Sequence, residues 1–501
     1  MLDAIGLSLG GLFFSGGVLY IVMGTMVGLL FGIIPGLGGP TALALLIPLT
    51  FGIDTTSAMF LAGAIMGAVP FGGSVTAILL NTPGTAPNAA TVFDGYPLAQ
   101  QGKAGLALGA AGAASAIGGL LGVLVLFAVL PIARQMILMF SPPEFFMLAV
   151  LGLCAIAVST EGKFLRGLIA AGIGLLIAYI GYDNVSGVVR FAYGTDYLWD
   201  GVPLVPALIG LFAIAQIFSL YVKGGSISEN PAAVKVTRVM DGVKAVFTHY
   251  PTLLRGSVIG ALVGAVPGVG GTVAAFLSYS TTVQLSKEPE TFGKGNIQGV
   301  IAPEASNNAR EGGALIPTLA FGIPGSAEMA VFLGLLVLHG IQPGPSVLLN
   351  HLDVVTTLML SLAVASVLAS VLCLLVARQL AAITLVDVNY LVPIILSVSL
   401  VGAYALNNSM YDVIIAVVFG LVGYLMIRFD FPRLPLVIAL FLGEIVEVNF
   451  RQSLMISQGD WTIFFSRGLS LTLFALILVS LFLPFLRYVI RRARTQKESR
   501  S

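Results

Sequence analysis

Apolar residues run almost unbroken along this chain, and polar positions come in short clusters between the runs. Val18–Ile34, Leu106–Leu130, Leu165–Ile180 and Leu469–Leu483 approach or exceed the ~20 apolar residues that carry a helix across a bilayer. Further runs near 144–159, 202–222, 253–266, 272–285, 314–341, 353–377, 390–405, 411–427 and 434–448 read as helices too. The runs are continuous and do not alternate, which argues against a β-barrel of short spanning strands. The pattern predicts an all-α polytopic membrane protein with about 10–12 spans.

One stretch occurs twice. Gly32-Ile33-Ile34-Pro35-Gly36-Leu37-Gly38-Gly39 returns 232 residues later as Gly264-Ala265-Val266-Pro267-Gly268-Val269-Gly270-Gly271, with every glycine and the proline in place. Ahead of it, Gly24, Gly28 and Gly32 fall every four residues, as do Gly256, Gly260 and Gly264. That spacing lines one helix face with small residues, so a neighbouring backbone can approach closely. Proline then removes an amide donor, and the glycines after it accept dihedrals that other residues avoid. Each copy predicts a helix that breaks open at membrane depth.

A second motif follows the first in each half. Asn81-Thr82-Pro83-Gly84-Thr85-Ala86-Pro87-Asn88 is answered by Gly322-Ile323-Pro324-Gly325-Ser326-Ala327, at an offset of 241 residues. A plain surface turn has no reason to recur with its partner motif, so these read as re-entrant hairpin tips. The expected organisation is a first transmembrane repeat over 1–222, a polar linker over 223–251 and a second repeat over 252–501. Basic residues favour the cytoplasmic side. By that rule the linker (Lys223, Lys235, Arg238, Lys244) and the tail (Arg487, Arg491, Arg492, Arg494, Lys497, Arg500) lie inside and the N-terminus outside. The two repeats would then be inverted, as in many secondary transporters.

Composition sharpens this. The chain is 57% hydrophobic and 9% charged, against roughly 25% charged residues in soluble domains. A net charge of +1 implies no nucleic-acid partner. Cys154 and Cys373 belong to no ligand or redox motif, and His249, His339 and His351 have no metal-ligand spacing. The first eleven residues hold no Lys or Arg, unlike a cleavable signal peptide. Gly36-Leu37-Gly38-Gly39 lacks the lysine of a phosphate-binding loop, and no zinc-protease pattern occurs. An enzyme is therefore not expected, and a gated anion channel is the competing class.

Candidate ligand contacts concentrate at the interruptions. Broken backbone at membrane depth must line a polar cavity or be buried in protein. A half-helix that starts there offers free amides and a positive dipole end to a carboxylate. The expected substrate and ion residues are Pro35, Gly36, Gly38, Gly39, Asn81, Thr82, Pro83, Gly84, Thr85, Pro267, Gly268, Gly270, Gly271, Pro324, Gly325 and Ser326. The polar segment Glu304 to Gly313 reads either as a solvated loop or as a buried site, with Asn307 and Asn308 as neutral ligands. Asp54, Glu328, Asp387, Asp412, Glu444 and Glu447 read as lone acids near span ends. No cofactor is expected beyond a coupling ion, sodium or proton.

Gly32 to Gly39, Gly72 to Thr85, Phe93-Asp94-Gly95-Tyr96-Pro97, Pro303 to Ala309 and Gly322 to Ser326 together resemble the large membrane subunit of tripartite tricarboxylate transporters. The resemblance spans nearly the whole chain. It implies a secondary carrier in the bacterial inner membrane that takes citrate and other tricarboxylates, or in some members dicarboxylates and aromatic carboxylates. It also implies two partners, a small four-helix membrane subunit and a periplasmic binding protein. Homodimerisation stays open, since the glycine ladders could pack within or between chains. Asn88 departs from the family pattern, where a serine is expected.

Overall fold

The computed structural model describes residues 2–14, 16–158, 164–183, 187–223, 238–382 and 388–482. Asp387, Lys235 and the basic tail lie outside them. Nearly all described residues are helical, apart from an antiparallel pair of two-residue strands, Gly181–Tyr182 and Val189–Arg190. Five of the described helices are long and apolar enough to cross a membrane: Thr55–Leu80, Ala104–Ile137, Leu204–Val222, Leu352–Val376 and Met410–Arg428. The chain is thus an all-α membrane protein.

Residues 38–80 form two helices, Gly38–Leu49 and Thr55–Leu80, on either side of Asp54. Asp54 caps the second, its carboxylate accepting a hydrogen bond from the Ser57 amide at 3.0 Å. Burial works to raise the Asp54 carboxyl, but the bonds from Ser57 outweigh it and hold it below its usual range. The expected span 314–341 is likewise the end of one helix, Gln298–Phe321, and the start of another, Ala327–Leu338. The chain turns at Gly322 to Ser326 in between.

The chain divides into two compact units: Met1–Arg134, Val205–Val266 and Gly270–Leu425 in the first, and Gln135–Leu204, Pro267–Val269 and Met426–Ser501 in the second. Each draws on both halves of the sequence.

Within the first unit the two halves run through the same order of main helices, with one extra short helix, Pro345–Asn350, in the second. A lead helix (Gly17–Ile33; Tyr250–Gly264) breaks and resumes as a half-helix (Gly38–Leu49; Gly270–Leu285). A hairpin helix follows (Thr55–Leu80; Gln298–Phe321), ended by a left-handed residue, Asn81 at φ 56° or Gly322 at φ 69°. After the tip come a short helix (Ala89–Gln100; Ala327–Leu338) and a long one (Ala104–Ile137; Leu352–Ala382).

The glycine ladders explain why the lead and hairpin helices meet. Gly24, Gly28 and Gly32 lie against the carbonyls of Leu61, Ile65 and Val69. Gly256, Gly260 and Gly264 lie against those of Ala302, Ser306 and Arg310. Both contacts keep the offsets of 232 and 241 residues found in the motifs. The hairpin helices also exchange supports. Gly63 and Gly67 of the first lie on the Leu358 and Leu362 carbonyls of the second repeat's long helix. Gly118 and Gly122 of the first repeat's long helix lie on the Ala305 and Ala309 carbonyls of the second hairpin helix.

The second unit packs Phe164–Ala178 on Arg433–Ile456, with Gly174 against the Leu436 carbonyl and Gly443 against Ala178, whose Cβ would stand 2.4 Å from a Cβ at Gly443. Arg190 binds Glu447 through both nitrogens at 2.8 Å, and Arg451 reaches Asp183 at 2.9 Å. Glu447 is therefore a paired residue, not a lone acid.

The ladder makes a stability prediction. A Cβ at Gly28 would stand 2.8 Å from Ala68 Cβ and 2.9 Å from the Ile65 carbonyl. Gly28→Val should cost about 1–3 kcal/mol by overpacking. Gly172, a helical glycine with nothing within 4 Å, should accept alanine with a gain of up to ~1 kcal/mol. Thermal unfolding of the two purified variants checks the contrast, and equal effects would remove the ladder from the argument.

Candidate functional site

Both lead helices stop for the same reason. Pro35 and Pro267 cannot extend the amide ladder, and the glycines beyond them take positive φ: 92° and 63° at Gly36 and Gly38, 82° and 77° at Gly268 and Gly270. The hairpin tips then fold back onto these ends. Gly84 donates its amide to the Gly73 carbonyl at 3.2 Å and lies against the Gly32 carbonyl. Gly325 occupies the corresponding place, 3.1 Å from the Gly264 carbonyl and from Ala314 Cβ, measured from a Cβ built on it. Each tip thus seats on the last turn of its own lead helix.

The segment Glu304 to Gly313 is no loop. It is the middle of the buried Gln298–Phe321 helix, whose polar side chains point into protein. Glu304 is 0% exposed. Ser74 and Ser115 donate to its Oε2 at 2.6 and 2.9 Å, and Thr91 donates to its Oε1. The network continues to the first tip. Asn88 Nδ2 donates to Ser74 Oγ at 2.8 Å and to the Pro70 carbonyl at 2.9 Å, while the Thr85 hydroxyl donates to Asn88 Oδ1. A serine at position 88 would be too short to make all these contacts at once.

Six residues further along the same helix, Arg310 is 6% exposed and donates to Glu328 Oε2 at 3.0 Å. Glu328 comes from the first turn of the helix after the second tip, where Ser326 Oγ caps the Met329 amide at 3.3 Å. The two breaks close on this pair. A side chain at Gly39 would run into the Glu328 carboxylate, and one at Gly271 into the Arg310 guanidinium. Gly38 stands beside Thr85, whose Cγ2 is 3.8 Å from a Cβ built there. Thr85, Gly38, Gly39, Glu328, Arg310 and Gly271 therefore form one connected polar region, drawn from both breaks and both tips.

The remaining expected residues fall around it. Gly36 is exposed and lies 2.9 Å from Gln216 Nε2, again measured to a built Cβ. Thr41, just after the first break, donates to the Phe212 carbonyl at 3.3 Å. Phe212 belongs to a π-helical segment, Ile209–Ile214, a local widening of the helix that is frequent at functional sites. Asn308 donates to the Gly67 carbonyl at 3.3 Å, and Asn307 is 1% exposed with no partner on either side-chain atom. Asn81 is exposed and acts as a left-handed helix end, with Thr82 and Pro83 half-buried beside it. Pro324 and Gly270 flank the region, one buried and one in open space. Pro267 and Gly268 cluster with the second unit, where Gly268 meets Ile156.

The sequence reading missed Ser74, Thr91 and Ser115, and took Glu328 for a lone terminal acid. The available signal for Glu328 was its place two residues beyond the second tip. No signal existed for the three hydroxyls, which look like ordinary helix residues.

Residues 18–438 match the tripartite tricarboxylate transporter TctA family. The chain is 33% identical over 461 residues to an uncharacterized 52.8 kDa protein in the TAR-I ttuC' 3' region of Agrobacterium vitis, covering 91% of each. It is 35% identical over 227 residues to an uncharacterized protein in the TAR-II ttuC' 3' region of the same organism, covering 45% of this chain and 94% of the other. No solved structure matches. The chain belongs to the TctA family, the membrane component of a tripartite tricarboxylate transport system that works together with other subunits.

Proposed function

We propose that this chain imports tricarboxylates such as citrate, or related dicarboxylates, across the bacterial inner membrane by alternating access. A sodium or proton gradient drives it. A periplasmic binding protein delivers the substrate, and a small four-helix membrane subunit completes the complex. The observation that carries the reading is the connected region where both glycine breaks close on the buried Arg310–Glu328 pair. A guanidinium is the side chain best shaped for a carboxylate, and the half-helices starting at Gly38 and Gly270 point their amide ends towards the breaks.

Inverted repeats are supported by the crossing of the hairpin helices. Asn308 meets Gly67, and these positions correspond under the offset of 241 residues. Seven residues later in one helix, Ser74 meets Glu304, four residues earlier in the other. Equivalent helices thus pass each other in opposite directions, as an in-plane two-fold requires. In this reading the N-terminus is periplasmic and the C-terminus cytoplasmic.

Cells without other citrate carriers, given this chain with its small subunit and binding protein, should accumulate labelled citrate only with the binding protein and an imposed ion gradient. A sodium gradient at fixed pH separates sodium from proton drive. Fast flux without gradient or binding protein would replace the carrier with a channel. Gly39→Ala and Gly271→Ala, which push into Glu328 and Arg310, should lower uptake at least tenfold (about 1.4 kcal/mol or more in the barrier) at unchanged membrane levels. Normal uptake by both would detach the ion pair from transport.

A further inference from the structure

Two fully buried glutamates share the Gln298–Phe321 helix in opposite states. Glu304 accepts hydrogen bonds from three hydroxyls, so its charge is solvated in place. Glu311 is also 0% exposed, yet neither of its oxygens receives a hydrogen bond. Arg310 Nη2 lies 2.6 Å from Glu311 Oε1, outside hydrogen-bond geometry, and the same nitrogen donates to Glu328. One guanidinium therefore serves two carboxylates. With both carboxylates ionised, a net negative charge would be left where water does not reach, and such a charge is strongly destabilising unless something compensates it.

A second observation points to what compensates it. Asn307 precedes Glu311 by four residues and so shares its helix face. It is 1% exposed, and neither its amide oxygen nor its nitrogen has a partner. Ala314, three residues beyond Glu311, continues the stripe and faces Gly325 of the second tip. The stripe thus leads to the turn that carries Glu328.

We propose that Glu311 and Asn307, with Glu328 held across Arg310, bind a monovalent hard cation, sodium being the probe of choice. An anionic oxygen beside a neutral amide oxygen is a hard-cation donor set. The proposed donors are oxygens, with no thiolate or imidazole among them, so the set does not suit a softer metal. The cation also supplies a coupling rule. Without it, a carboxylate approaching Arg310 meets a net negative site; with it, the site is neutral and the guanidinium is free to attract the anion. The proposal rests on the carrier reading above for its role, but not for its test.

The test uses the purified full-length chain in detergent, without substrate, heated in sodium or choline chloride at matched ionic strength and fixed pH. Sodium should raise the wild-type unfolding temperature saturably. Glu311→Gln should lose that response, and without sodium it should already unfold near the sodium-saturated wild-type temperature, because the excess charge is gone. Asn307→Ala should shift the sodium titration at least tenfold to higher concentration. No sodium response in wild type, or an unchanged titration in Asn307→Ala, overturns the site; if Glu311→Gln does not fold, Asn307→Ala decides alone. A response to pH but not to sodium overturns it too. Uptake separates the two readings: an unaltered sodium titration with citrate still carried sinks this site only, and a sodium-responsive chain that carries no carboxylate sinks the carrier reading only.

Discussion

The close approach of each lead helix to its hairpin helix is the contact on which the rest depends. In lipid, two apolar helices gain no hydrophobic free energy by meeting, so packing must hold them. Glycine at every fourth position lets the carbonyls of residues 61, 65 and 69, and of 302, 306 and 310, settle directly on the lead-helix backbone. The last glycine of each ladder has a further task. Gly32 and Gly264 leave their carbonyls bare, and the tips at Gly84 and Gly325 lie against them. Tip and break are adjacent because the ladder ends where the proline begins.

From that contact follows a polar interior with two kinds of order. Around Glu304, every oxygen is satisfied by hydroxyls from three helices, and the network reaches the first tip through Asn88. A fully satisfied buried network rigidifies. Around Glu311, the hydrogen-bonding capacity is largely unused. One helix thus holds a satisfied end and an unsatisfied end, about two turns apart.

The breaks and tips were legible in the chain because proline and glycine act locally. A missing amide or a positive φ needs no distant partner to take effect. Asn307 and Asn308 were legible as polar residues between apolar runs. The helical state of Glu304 to Gly313 was not. Hydropathy assumes that polar side chains seek water, whereas these meet hydroxyls and carbonyls from the Thr55–Leu80, Ala89–Gln100 and Ala104–Ile137 helices. The pairing of Arg310 with Glu328 crosses a turn that no periodicity describes.

What the order of residues decided alone was the membrane-spanning class and the places where helices fail, since each follows from neighbours close in the chain. Which acid is satisfied and which is left open was settled only when helices distant in sequence came together. Ser74, Thr91 and Ser115 lie 230, 213 and 189 residues from Glu304. A charge's partners are set by distance in space, and that distance exists only once the chain has folded.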